Sequence, residues 1–264
     1  APTVAGTTLD TTFTVMRDLP AQVTVVEAVY PSADVLPMNL LRVYIQFSSP
    51  MRNGDAAAHV RLYNEDGTEV KDAFLVPPQE LWDTERQRLT MLFDPGRIKS
   101  DLRPHEELGL PLQSGKSYRL VIDSLYRDAY ARPMRATFVK RFRVGPQDRT
   151  APDPLKWQIT SPSANGPLTI DFGEPLDHAL QLRLISVLDA SRKPVGGRIR
   201  IQDNERRWVF HSNRGWEPGS YTIQIDRQIM DLAGNSVGQL FEEKHGESAS
   251  ASKTAPVRLT FTVR

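Results

Sequence analysis

The side chains with the chemistry for acid–base or metal work are spaced in ways that offer little. His59, His105, His178, His211 and His245 lie no closer than 33 residues to one another, so no His-x-His or His-Glu-x-x-His ligand pair forms. No Gly-x-Ser-x-Gly elbow, phosphate loop or dinucleotide fingerprint occurs. A site assembled from separate loops stays open, because catalytic groups meet in space and not in sequence. His178, beside Asp177 and just after Pro175, reads as a solvated or hydrogen-bonded histidine rather than a base. The carboxylates are more orderly. Asp123 and Asp128, like Asp226 and Asp231, stand five apart around a turn. Such a pair can contribute to a Ca²⁺ site, which needs six or more oxygens, or can cap the turn through its own side chains. Recurrence at matched places favours the cap and leaves Ca²⁺ as a weak second reading. No other cofactor is expected.

The elements that carry these residues are organised by an internal repeat. Phe47-Ser-Ser-Pro50-Met51 recurs as Phe172-Gly-Glu-Pro175-Leu176, each closing an alternating apolar run. Ser117-Tyr118-Arg-Leu120-Val-Ile122-Asp123 recurs as Ser220-Tyr221-Thr-Ile223-Gln-Ile225-Asp226, each after a glycine. The closing runs Arg141–Val144 and Thr260–Val263 also correspond. This gives an extended N-terminal segment at 1–21 and two modules, 22–146 and 153–264. A Pro-rich linker, 147–152, lies within the stretch 145–154, where three prolines disfavour helix and keep the chain extended.

Within each module the apolar period is two, the mark of strands with one buried and one wet face. Turn signals such as Asn64-Glu-Asp-Gly67 and Asp94-Pro-Gly96 separate the runs. The fold class expected is all-β, two tandem antiparallel sandwiches. Helix is confined to a turn or two at 54–60, 77–82 and 176–182. Pro50 and Pro175 should stop strands, and the Tyr118 and Tyr221 hydroxyls should bond backbone near a corner.

Composition narrows the partners. Of 264 residues 33 are Lys or Arg and 32 are Asp or Glu, a formal charge of +1, so no field of one sign recommends nucleic acid. No apolar run is long enough to span a membrane. Cysteine is absent, which removes disulfides, thiol nucleophiles and thiolate metal sites. The chain opens Ala-Pro-Thr-Val, a start expected where an export signal lies outside the sequence.

Tyr30-Pro-Ser-Ala-Asp34, a strand ending Phe-x-x-Pro-Met, a Gly-x-Ser-Tyr-x-Leu-x-Ile strand and the turn Asp231-Leu-Ala-Gly-Asn235 together resemble the bacterial Ig-like domain of S-layer and other exported bacterial proteins. The likeness covers both modules and is better for the second. The first departs where Asp128-Ala-Tyr-Ala-Arg132 loses the glycine. The resemblance implies two Ig-like sandwiches in an exported setting, periplasmic, cell-surface or secreted.

The modules differ in their loops. Val70 to Tyr118 spans 48 residues against 26 from Val195 to Tyr221, so module one carries an insertion within 71–113 that holds Trp82, His105, Glu106 and Glu107. Loops on a scaffold commonly bind, although Leu81, Trp82, Ile98 and Leu102 also suit a satellite cluster beneath the loop. In module two, Asp231 to Phe261 spans 30 residues against 14 from Asp128 to Phe142, and the excess includes the polar run 242–253. The expected function is a non-enzymatic exported protein or segment, structural, adhesive or binding, monomeric, with a protein or glycan of the cell surface as partner. One alternative is a carbohydrate-binding accessory module with Trp82 or Trp216 stacked on sugar. The other is an enzyme with a site in the inter-module cleft or the 71–113 insertion, around His105, Glu106 and Glu107.

Overall fold

The computed structural model describes residues 23–93, 110–241 and 255–264. In the N-terminal half one sheet runs in the order β1 (Val26–Tyr30), β3 (Arg42–Phe47), β6 (Arg88–Leu92), β5 (Leu81–Trp82). The second runs β2 (Val35–Pro37), β8 (Phe138–Gly145), β7 (Ser117–Ile122), β4 (Val60–Asn64). In the C-terminal half the orders are β9 (Gln158–Thr160), β10 (Leu168–Asp171), β13 (Arg207–Ser212), β12 (Gly197–Gln202) and β11 (Ile185–Leu188), β14 (Gly219–Ile225), β15 (Val257–Val263). Named strands pair antiparallel throughout, except that β2 runs parallel to β8. This is an all-β, Ig-like sandwich architecture.

Alternation puts one residue in two inside. Val43, Ile45 and Phe47 from β3 meet Leu120 and Ile122 from β7 in one buried cluster. Leu168, Ile170 and Phe172 meet Ile223 and Ile225 in the other. Buried side chains of this size each contribute about 1.5–3 kcal/mol, so each cluster holds its half together without disulfides. Matched residues take matched places. Met51 bridges to Asp128 and Leu176 to Asp231, and the Tyr118 and Tyr221 hydroxyls accept from the backbone N–H of Gln113 (3.0 Å) and Glu217 (3.2 Å), which closes each corner as expected.

Among the described residues helix is limited to α1 (Ala56–His59), α2 (His178–Leu184) and a 3-10 turn at Pro154–Lys156. The helix expected at 77–82 does not form. Pro77 and Pro78, with fixed φ and no N–H to donate, leave a stretch that bends at 78–79 and ends in β5. The linker is fastened to the first half: just ahead of it the Met38 N–H donates to the Pro146 carbonyl at 3.3 Å, and its own Asp148 is held by Asn39. Asn39 clasps Asp148 from both sides, its amide donating to the Asp148 carbonyl at 2.8 Å and its side-chain oxygen accepting the Asp148 N–H at 2.9 Å.

Candidate functional site

Where the two halves meet, polar side chains are buried and paired. Asp177 is 3% exposed and caps α2, one carboxylate oxygen accepting the Leu180 N–H at 2.9 Å. From the other half the Tyr44 hydroxyl, at the inner end of β3's pairing with β1, reaches both Asp177 oxygens at 2.8 Å. Arg42 lies at 3.3 Å from the same carboxylate and donates to the Met230 sulfur at 3.0 Å. A carboxylate out of water needs such partners, and here it has three. Burial, and next the charge of Asp177, push the Tyr44 hydroxyl up from the ordinary phenol range, so it stays a donor. Backbone joins in: the Leu41 N–H donates to the Leu232 carbonyl at 2.9 Å, and Leu232 packs into the N-terminal cluster.

Beside this bridge His178 stacks under Tyr30, ring centroids 3.5 Å apart. Its Nδ1 is 3.7 Å from Glu205, too far for a hydrogen bond. Glu205 is 2% exposed and accepts the Ser32 N–H at 2.8 Å. It ends a run of three left-handed residues, Asp203, Asn204 and Glu205, with φ of 54, 51 and 65°. Such conformations cost energy in non-glycine residues and persist where surroundings over-determine them. The buried Gln181 side chain supplies part of that support, donating to the Glu205 carbonyl at 2.8 Å and the Leu176 carbonyl at 3.0 Å. His178 thus braces an interface, and among the described residues no hydroxyl is hydrogen-bonded to it that it could activate.

A third group lies where the linker enters the second half. One oxygen from each of Asp148, Glu174 and Asp231 falls within 4.8 Å of the others. Burial, and then the neighbouring carboxylates, push Glu174 up to about 7. Asp231 is also raised to about 7 by burial, which outweighs its hydrogen bonds from Asn235 and Ala233. This is the one carboxylate cluster of metal-binding spacing among the described residues. The Asn235 amide is turned away from a cation role, since it donates to Asp231 at 2.8 Å while its oxygen accepts the Phe241 N–H at 3.0 Å. Three carboxylate oxygens fall short of the six to eight that calcium takes.

The paired aspartates are turn caps. Asp128, fully buried, accepts the N–H groups of Tyr130 and Arg132 at 2.9 Å, the Arg132 side chain at 3.0 Å and the Thr24 hydroxyl at 3.1 Å. Asp231 accepts the Ala233 and Asn235 N–H groups at 2.8 and 2.9 Å. Asp123 and Asp226 each accept the N–H two residues on. The tryptophans proposed to contact ligand are placed otherwise. Trp216 is 6% exposed, donates its indole N–H to the Gly166 carbonyl at 2.9 Å and is flanked by Phe210, Tyr221 and Phe261, so it has no face free for sugar. Trp82 is half-buried against Phe47 and donates to Glu80 at 2.8 Å. His105 and Glu106, with Glu107, lie outside the described residues. Tyr44, Glu205 and Asp148 were not singled out by sequence; their partners sit 133, 173 and 109 residues away, and no local pattern marks them.

The described surface holds several hollows, among them one of about 680 Å³ at the junction, lined by Arg42, Leu180, Leu184 and Met230, and two away from it. One, about 380 Å³, opens along the side of the first sandwich between β4 and β5, over Val60, Leu62 and Leu89. The other, about 540 Å³, lies on the wet face of the sheet holding β9, β10, β13 and β12 and is lined by Gln158, Thr169, Asp171, Arg207 and His211.

No protein-family model and no curated protein matches the sequence. Among solved structures the chain is similar to the MG0-NIE-MG1 region of native alpha-2-macroglobulin from Escherichia coli, 9% identical over 92% of this chain and 72% of that one, with a TM-score of 0.31. Titin domains Z1Z2 in complex with telethonin are 9% identical over 93% of this chain and 96% of that one, TM-score 0.23. The Bacteroides ovatus mixed-linkage glucan protein SGBP-B, in complex with a heptasaccharide, is 12% identical over 83% of this chain and 46% of that one, TM-score 0.24. These scores assign the chain to none of them. The class is defined by its own sheets: Ig-like antiparallel sandwiches with a buried polar junction. No helix among the described residues is long and apolar enough to cross a membrane.

Proposed function

We propose that this chain is a non-enzymatic structural and binding segment of an exported bacterial protein, in which two Ig-like sandwiches are held in one fixed relation to present their loops and edges to a cell-surface protein or glycan. The observation that carries this reading is the Tyr44–Asp177–Arg42 bridge: a fully partnered carboxylate buried between the halves. Free hinges between domains keep small, wet interfaces, whereas breaking a buried charge cluster is costly. Tyr44, Arg42 and Asp177 are engaged with one another, which supports a structural role for the junction. The test has two parts. Purified protein is offered glycan, ester and peptide substrates, and its solution scattering is compared with the single arrangement seen here. Turnover of any substrate class, or scattering that requires a mixture of orientations, would refute the proposal.

A second reading, a carbohydrate-binding accessory role, is favoured by the polar hollow on the β9–β10–β13–β12 sheet. Asp171 and Arg207, paired at 3.1 Å, offer hydroxyl-directed acceptors and donors there, in place of the aromatic stacking expected of Trp216. Electrophoresis through gels containing soluble glycans, with Arg207→Ala as the comparison, checks it. Retardation that Arg207→Ala leaves unchanged argues against this face.

A further inference from the structure

The formal charge of +1 is not spread evenly along the chain. From Arg192 to Arg214 there are seven Lys or Arg against two acids, Asp203 and Glu205, and Glu205 is buried at the junction. That stretch supplies β12 and β13, which pair in continuous register. Trp208 and Phe210 of β13 join Leu168 and Ile170 of β10 in the core, so alternation turns the residues between them to the wet face. Three rows run across that face. Arg198 is level with His211. Arg200 is level with Val209, Thr169 and Thr160. Gln202 is level with Arg207, Asp171 and Gln158.

The face has two chemically distinct parts. On the edge strand β12, Arg198 and Arg200 are exposed and stand about 7 Å apart on one side of the strand. Among the described residues neither guanidinium has a hydrogen bond or ion pair. The carboxylates of Asp171 and Asp203 are taken up by Arg207, at 3.1 and 4.0 Å, so they do not offset the two edge arginines. Next to this cationic border lies the hollow of about 540 Å³, whose lining falls entirely within 158–211. Gln158, Thr160, Thr169 and Gln202 give it amides and hydroxyls that both donate and accept. The one ring in these rows is that of His211, so the face offers ion pairs and hydrogen bonds and not the aromatic platforms on which bases stack. A guanidinium fork matches a carboxylate bidentately. A polymer that carries a carboxylate and free hydroxyls on each unit satisfies both parts at once.

We propose that this face binds an acidic polysaccharide, its carboxylates paired with Arg198 and Arg200 and its hydroxyls seated in the hollow beside Arg207. The inference rests on the carbohydrate-binding reading above and names the ligand class for it. Calorimetric titration of the full chain with polygalacturonate, and with its methyl ester as the same backbone without charge, tests it. The acid form should bind more tightly, and the difference should shrink as salt is raised. Arg198→Gln with Arg200→Gln should weaken binding of the acid form on the order of tenfold, through the loss of two charge-assisted contacts, and leave the ester unaffected. Arg141→Gln with Arg143→Gln removes the same charge from exposed positions on β8 and should change neither titration. Equal affinity for acid and ester overturns the inference while the carbohydrate-binding reading stands. Binding of neither polymer overturns the inference too, and the gel test above decides the underlying reading separately. An equal loss from both arginine pairs would reduce the effect to unspecific attraction and overturn the proposal. Charged side chains also keep edge strands from pairing. If that is all Arg198 and Arg200 do, their glutamine variant dimerises with its affinity for polygalacturonate intact, which overturns the proposal as well.

Discussion

The Tyr44 hydroxyl lies 2.8 Å from each oxygen of Asp177 across the junction, and both residues are buried, at 5% and 3% exposure. A hydrogen bond to a buried charge is worth about 1.5–3 kcal/mol. Tyr44→Phe removes only that donor and should lower unfolding free energy by roughly this amount in urea titrations. Asp177→Ala should cost more, about 3–5 kcal/mol, because Arg42 loses its partner and α2 loses its cap in the same step. A Tyr44→Phe protein indistinguishable from wild type would mean that the bridge does not hold the halves together.

The turns after β7 and β14 make a natural comparison. Gly234 and Ala131 occupy equivalent places in Asp231–Asn235 and Asp128–Arg132, with φ of 89° and 61°. A Cβ on Gly234 would sit 2.6 Å from the Leu41 side chain and 3.2 Å from Phe241. Gly234→Ala should therefore cost about 1–3 kcal/mol through crowding at the junction, beyond the left-handed backbone penalty. Ala131→Gly should change stability little, because relief of about 1 kcal/mol is offset by the extra freedom of glycine in the unfolded chain. Chemical denaturation of the two variants gives the asymmetry directly. Equal and small effects would place Leu41 farther from this turn than the structure has it.

What could be read from sequence was what is local. Alternation in Leu168-Thr-Ile-Asp171 gives a half-buried strand because side-chain direction reverses at every residue, and β10 is found there. Asp128 and Asp231 could be read as turn caps because their partners are two and four residues away. Tyr44 and Glu205 were illegible for the opposite reason. Each looks like an ordinary polar position until a strand or turn from the other half is laid against it. Trp216 misled because its neighbours Arg214, Gly215 and Glu217 have the composition of a surface loop, whereas the indole turns inward onto Phe210 and Phe261. The helix expected near 77–82 was lost to Pro77-Pro78, whose fixed φ and missing N–H groups outweigh the helix-forming residues that follow.

Trp216 accordingly behaves as core. Trp216→Ala should cost about 3–5 kcal/mol, the range for large aromatics removed from a packed interior, and leave the Gly166 carbonyl without its donor. Trp82→Ala should cost less, since Trp82 is half-buried at a sheet edge. Thermal unfolding of the two variants orders them. A Trp216→Ala protein as stable as wild type would restore a surface role for that ring.

The carboxylates at the linker set the pH response. Glu174 and Asp231 are both raised to about 7 in the folded chain, chiefly by burial, whereas unfolded carboxylates titrate near 4. The native state therefore holds protons that the unfolded chain has released, and stability falls as pH rises between those values. The stabilisation is fully present below about pH 4 and is lost as pH passes through 7. Glu174→Gln removes one titrating group and its repulsion of Asp231 and Asp148, so it should match wild type below about pH 4 and exceed it in Tm at pH 8. Comparing the two proteins across that range cancels the titrations that are not coupled to Glu174. Parallel Tm curves would show that the three carboxylates do not share charge, and the close approach of Asp148, Glu174 and Asp231 would then have no bearing on how the linker is held.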